Sequence, residues 1–138
     1  MSFEAFVQCF KDGEFAAVPR EQVRDAFGSF LTESGASDWR LYYGEADNCD
    51  VMLTVDDADD CLLRGFTVLR PCGDARFWDA MASILRLGNV VLYFPADCPP
   101  LVADDRVAQH LPPSMIEAMG QPKRVSTGRE ILNALHAA

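Results

Sequence analysis

Three strand-like runs in the middle of the chain, Trp39 to Tyr43, Cys49 to Val55 and Leu62 to Leu69, are joined by two links of five to six residues. A parallel crossover needs a dozen residues or more, so links this short restrict the runs to antiparallel neighbours and predict a three-stranded meander. The links are rich in Gly, Asn and Asp, the residues that tolerate turn geometry.

The flanking segments supply what a meander needs to bury its apolar face. Residues 2 to 10 alternate, with Phe3, Ala5, Val7 and Cys9 on one side and Phe6, Gln8 and Phe10 on the other, and Gly13 offers a turn immediately after. That predicts a first strand. Pro19 suits the first turn of a helix, and Val23, Ala26, Phe27 and Phe30 recur at helical spacing, predicting an amphipathic helix over 19–31 followed by a polar loop over 32–38. Asp74 is placed to cap a second helix carrying Phe77, Trp78, Met81, Ile84 and Leu85 on one stripe, with Gly88 as its stop signal. The run from Asn89 to Phe94 is the most apolar strand in the chain and reads as central or helix-covered.

From Pro95 the texture changes, because six prolines (Pro95, Pro99, Pro100, Pro112, Pro113 and Pro122) divide the remainder into short pieces. Short helices are expected at 104–109 and 113–119, an edge strand at 123–126, and a last helix capped by Thr127 with Glu130 at capping-box spacing. The predicted fold class is α+β: a mainly antiparallel sheet of about five strands packed by two main helices, with a Pro-rich helical C-terminal segment around it. At 138 residues one domain is expected. Two helices on one face leave the other needing cover from that segment or from a second subunit, and an edge strand could pair across the axis of a homodimer.

Composition narrows the partners. The formal net charge is -9, which opposes phosphate backbones and anionic membrane surfaces, so neither nucleic acid nor a membrane is an expected partner. No apolar run approaches the roughly 20 residues of a membrane span, and the opening residues lack a secretory pattern. A cytoplasmic location is therefore expected. Cys9, Cys49, Cys61, Cys72 and Cys98 are odd in number and contain no Cys-x-x-Cys pair, so they read as separate thiols in a reducing compartment. No cofactor or metal is implied.

Charge placement is the most unusual feature. Between Arg40 and Arg64 stand Glu45, Asp47, Asp50, Asp56, Asp57, Asp59 and Asp60 with no basic residue among them. These seven form the candidate partner-binding set, for a basic protein surface; the competing reading is a pair of solvated turns that serve solubility. The stretch Asp56–Asp60 lacks the glycine and distal glutamate of a calcium-binding loop.

An alternative site gathers around Cys72, which precedes a helix start where the backbone dipole favours thiolate. Arg70 and Arg76 flank it and could bind an anion with the free N–H groups of that helix, and His110 is the histidine available to act with the thiol. The competing reading pairs the arginines with Asp74 or Asp79 and makes Cys72 a small core residue. This alternative is a small enzyme or anion-binding domain. No phosphate loop, nucleophile elbow or paired-histidine motif is present.

The opening SFEAFVQCFKDGE, with PCGD, LGNVVLYFP and CPPLVA, resembles a group of small bacterial proteins of nearly the same length that have no established activity. The resemblance implies a single domain and brings no catalytic residue or cofactor with it. In size and acidity the chain is also similar to immunity proteins of bacterial toxin systems. The functional expectation is accordingly a non-enzymatic interaction module whose acidic surface neutralises a basic toxin.

Overall fold

The computed structural model describes residues 3–137. Ser2, assigned above to the first strand, lies outside them. The chain is α+β, but its sheet is larger than the five strands expected: ten strands in one mixed sheet. They are β1 (Glu4–Lys11), β2 (Glu14–Phe15), β3 (Val18–Pro19), β4 (Leu31–Ser34), β5 (Asp38–Gly44), β6 (Asp47–Val55), β7 (Leu62–Leu69), β8 (Val90–Tyr93), β9 (Leu101–Val102) and β10 (Lys123–Arg124). The helices are α1 (Arg20–Phe27), α2 (Ala75–Leu85), α3 (Pro113–Met119) and α4 (Gly128–His136), with 3-10 turns at Gly28–Phe30 and Asp105–His110.

The path across the sheet runs β10-β9-β8-β1-β7-β6-β5-β4, with β2 pairing β1 and β3 pairing β7. The meander β5-β6-β7 forms as its links require, and β10 against β9 is the parallel pair that makes the sheet mixed. Two-residue strands account for most of the excess over five. They are too short to carry an alternation, and their pairing is set by distant partners.

β4 corrects the expected loop. α1 stops at Phe27 because Gly28 takes a φ of 60°, and the chain then turns back so that Leu31 pairs Leu41 and Ser34 pairs Trp39. Polarity over 32–34 belongs to an exposed edge strand, where such residues also discourage pairing with other chains. Helix α1 thus ends four residues earlier than the periodicity of its aromatic residues suggested.

β1 lies between β7 and β8, with Phe6 flanked by Thr67 and Tyr93. Its contact with β7 is so close at one point that a Cβ on Gly65 would come within 2.0 Å of the Val7 carbonyl oxygen, which is why glycine stands in mid-strand. β8 is buried on both faces, as its continuous apolar run predicts: Val90, Val91 and Leu92 are each fully buried.

Helices α1, α2 and α4 cover one face. Phe77, Trp78, Met81, Ile84 and Leu85 of α2 are buried against Val7, Leu41, Val51, Phe66 and Leu92 of the sheet. Burying each such side chain contributes about 1.5–3 kcal/mol. The N-terminal caps follow the sequence chemistry: Asp74 accepts from the Arg76 N–H, and Thr127 Oγ1 accepts from the Glu130 N–H at 3.1 Å. Glu130 reaches back to the Ser126 N–H, one residue before the cap.

The opposite face is covered over half its width. Val107, Leu111, Met115 and Ile116 of the Pro-rich segment pack on Phe10, Val91 and Val102. The short helix expected at 104–109 is a 3-10 helix over Asp105–His110. Over β5 and β6 the sheet stays open, and Tyr42 and Met52 are 45% and 44% exposed. Among the described residues no helix is long and apolar enough to cross a membrane.

Candidate functional site

The seven acidic residues do not share one surface. Consecutive hairpin links leave opposite ends of a sheet, so Glu45 and Asp47 lie at the β5–β6 end while Asp56, Asp57, Asp59 and Asp60 lie at the β6–β7 end. Asp50 sits between them on the open sheet face. The arginines that bound the acidic segment in sequence also fold against it. Arg40 Nε donates to Asp50 Oδ1 at 3.1 Å, directly across the β5–β6 pair. Arg64 Nε donates to Asp56 Oδ1 at 3.1 Å, and its Nη2 lies 3.5 Å from Asp57 Oδ2. The bond from Arg64 holds the Asp56 carboxyl below its usual range, with the Ala58 N–H adding to the effect.

What remains without an ion pair among the described residues is divided between the two ends, Glu45 and Asp47 at one and Asp59 and Asp60 at the other. Asp59 and Asp60 are exposed and, among the described residues, have no basic side chain within ion-pair distance. Asp57 is 87% exposed and meets only the far edge of one guanidinium. Asp59 Oδ1 accepts from the Cys61 N–H at 2.9 Å, fixing the turn from within. The neighbouring Asp59 and Asp60 charges push the exposed Cys61 thiol up, so it stays protonated and is a poor nucleophile. Carboxylates and thiol of Asp59, Asp60 and Cys61 approach within 4.8 Å of one another.

Beside this tip stands a residue that sequence reasoning did not single out. Phe15 of β2 is 60% exposed, the most exposed large apolar side chain among the described residues. It stacks on Phe10 at 5.5 Å, and the Arg64 guanidinium lies 5.8 Å from its ring centroid. One arginine thus joins the aromatic ring to the Asp56 and Asp57 carboxylates. The signal available in sequence was weak: a phenylalanine directly after the Asp12-Gly13-Glu14 turn, in a run too short to show a period.

The alternative site comes apart. Cys72 lies just beyond the end of β7 that pairs with Glu4, the start of β1, whereas His110 lies at the other end of β1. There the His110 carbonyl accepts from the Gly13 N–H at 3.0 Å and its Nδ1 accepts from the Asp12 N–H at 3.2 Å. Eight strand residues separate the two ends, roughly 25 Å at the rise of a β-strand. Cys72 and His110 therefore form no pair.

Arg76 is also committed elsewhere. Its Nε and Nη2 bind the two Asp74 carboxylate oxygens at 2.9 and 2.8 Å, and Nη2 also donates to the Tyr43 carbonyl at 3.1 Å. Its guanidinium lies 4.8 Å from the Phe30 ring centroid. The guanidinium and the Arg76 N–H hold the Asp74 carboxyl down at about 2. The arginine so placed neutralises a helix cap rather than receiving an anion. Arg70, with a φ of 50°, borders a separate surface cleft with Phe3, Phe6, Leu69 and Pro95.

Cys72 itself is buried, and its carbonyl accepts from the Trp78 indole N–H at 2.9 Å. All five cysteines are free thiols, as their number and spacing suggest, and Cys49 and Cys72 belong to the same buried cluster. Interaction between these two pushes the Cys49 thiol up, with burial adding to it, and draws the Cys72 thiol down. Nearby, the Tyr43 hydroxyl is buried without a hydrogen-bond partner, and burial raises its ionisation well above the usual range. Comparison of the chain with protein-family models, curated proteins and solved structures finds no match in any of the three.

Proposed function

We propose that the protein is a non-enzymatic interaction module that engages a basic protein surface through the β6–β7 tip, with neutralisation of a basic toxin as its concrete form. One observation carries the reading: Asp57, Asp59 and Asp60 stay exposed and largely uncompensated beside the exposed ring of Phe15. An aromatic anchor rimmed by like charges suits a partner segment in which lysines or arginines flank an apolar side chain. Asp56 has a different task, since its bonds to Arg64 and to the Ala58 N–H hold the turn in shape. Glu45 and Asp47, at the far end, extend the negative field without joining this contact.

The test uses a synthetic amphipathic peptide of lysine and leucine as the probe. Replacing Asp57, Asp59 and Asp60 by asparagine retains the oxygen that accepts from Cys61 while removing three charges. A charge-matched variant replaces the exposed Glu33, Asp97 and Glu117 by their amides. Stopped-flow association at low ionic strength should fall roughly threefold to tenfold for the tip variant, with a flatter salt dependence, and distinctly less for the matched one. Equal effects of the two would mean that net charge alone governs binding, and the reading would be wrong.

A further inference from the structure

We propose that the cleft between the α2–β8 turn and the 3-10 helix over Asp105–His110 is a binding site for a phosphate group, free or carried on a small phosphomonoester. Among five surface clefts of the described residues, it is the one whose wall holds more basic than acidic side chains. Arg86 and Arg106 stand there against Asp104, with His110 beside them. In the other four clefts acids equal or outnumber bases. On a chain of net charge -9, a cationic hollow runs against the general field. The cleft has a volume of about 520 Å³, ample for phosphate and a small organic group, and shares no wall residue with the acidic tip.

The donors are held from behind. His110 Nδ1 accepts from the Asp12 N–H at 3.2 Å, which leaves the proton of the neutral ring on Nε2. When the ring is charged, Asp12 Oδ1, 3.4 Å from Nδ1, accepts from that nitrogen instead, so Nε2 is a donor in both states. Arg86 Nη1 donates to the Ser126 carbonyl at 2.9 Å, and its Nη2 lies 3.4 Å from Ser83 Oγ. Its Nε–H and one N–H on each Nη stay free for a ligand. No carboxylate among the described residues pairs with Arg86. Arg106 binds Asp104 through Nε and Nη2, at 3.1 and 2.9 Å, which keeps Nη1 free. That bidentate pair neutralises Asp104, so the uncompensated charge in the wall belongs to Arg86.

Arg86 comes from the end of α2, whereas Arg106 and His110 come from the 3-10 helix. Three separate side-chain donors match an oxyanion with three acceptor oxygens, as a phosphate group has, better than a carboxylate with two. A phosphate group also carries about -1.5 to -2 charges near pH 7, which strengthens each of these bonds. The carbonyl end of α2 disfavours an anion, and Arg86, its C-cap residue, offsets that. For an organic portion, Leu85 and Ala103 offer apolar wall, and Asn89 and Gln109 offer amides to hydroxyl groups.

The experiment titrates the isotope-labelled full chain with inorganic phosphate and, separately, with glucose 6-phosphate, and follows amide shifts by NMR. Probe concentrations rise to about 20 mM at about pH 7.5, with ionic strength held constant by sodium chloride. Both probes should give saturable shifts clustered at 85–89 and 103–110, which chloride alone does not. Tighter binding of the ester points to a phosphomonoester as the source, and equal binding points to the free ion; both uphold a phosphate site. Arg86→Gln should weaken binding about tenfold, and Arg129→Gln, on the exposed side of α4, by less than about twofold. His110→Asn keeps an acceptor for the Asp12 N–H but lacks the Nε2 donor. It should weaken binding about threefold to tenfold, and it decides where loss of the Ser126 bond unfolds the Arg86 variant. Shifts that do not saturate, shifts spread over the surface as with chloride, or variants at Arg86 and His110 that bind like the wild type overturn the proposal.

Discussion

Substituting Gly128 by alanine tests how α4 is seated. Gly128 is the first residue of α4 and is buried where α4 meets α2. A Cβ there would lie 2.5 Å from the Asp79 backbone nitrogen, 2.5 Å from the Trp78 carbonyl carbon and 2.7 Å from Asp79 Oδ1. Ordinary contacts are about 1 Å longer. Two of the three atoms belong to the α2 backbone, so relief requires one helix to shift against the other. Overpacking of this kind costs about 1–3 kcal/mol, and a collision with backbone belongs at the upper end. The intrinsic preference for alanine in a helix returns at most about 1 kcal/mol and counts for little at a helix's first residue. The expected net loss is about 2–3 kcal/mol. With an unfolding entropy of about 2.1 cal/mol/K per residue, that lowers Tm by roughly 7–10 °C for a chain of this size. Urea unfolding followed by circular dichroism provides the assay. Gly73→Ala is the internal control, since nothing lies within 4 Å of its Cβ position, and it should change stability by less than about 0.5 kcal/mol. A Gly128→Ala protein as stable as the wild type would refute the close seating of α4 on α2.

Acid should unfold the protein partly through Asp74 and Asp104. Both are held at about 2 by their arginine partners, below the ordinary 3.8, so the stability they add is complete above about pH 4 and is lost as pH falls towards 2. Asp74→Asn keeps a capping oxygen but removes the charge, and its Tm should fall less steeply over that interval; an unchanged slope would show that the carboxylate is not preferentially stabilised. Trp78→Phe removes the donor to the Cys72 carbonyl and leaves a small void. It should cost about 2–4 kcal/mol in urea unfolding and speed alkylation of Cys72 by N-ethylmaleimide, whereas a loss below about 1 kcal/mol would mean the indole bond contributes nothing.

Local chemistry made much of the fold legible. Asp74 and Thr127 announce helix starts because a capping side chain acts within three residues, and short links force the meander because chain reach leaves no other pairing. The apolar run at 90–93 likewise declares its burial. What escaped was non-local. Nothing within Leu101–Val102 encodes a strand; it pairs because Lys123–Arg124, the edge strand expected at 123–126, is brought alongside it. Residues 32–34 of β4 read as a loop because polarity marks both loops and solvent-facing edges. For the candidate sites, the density of aspartates was visible, but their division between two ends and their pairing with Arg40 and Arg64 depended on register. The same pairing that sets Leu69 opposite Glu4, at the start of β1, leaves Cys72 at the end of the sheet away from His110.

The position of β1 between β7 and β8 governs how the chain reaches its native form. A segment bearing Phe3, Phe6 and Phe10 is synthesised before both of its neighbours and finds them only when residues 62–69 and then 90–93 have followed. At about 5–20 residues per second, roughly 4–16 seconds elapse between the synthesis of this segment and that of its last neighbour. During that interval the hairpins of residues 38–69 can form, since their contacts are close in sequence, while the aromatic β1 segment is available to chaperones or to other nascent chains. Closure of the sheet around it is then the late, slow event of folding.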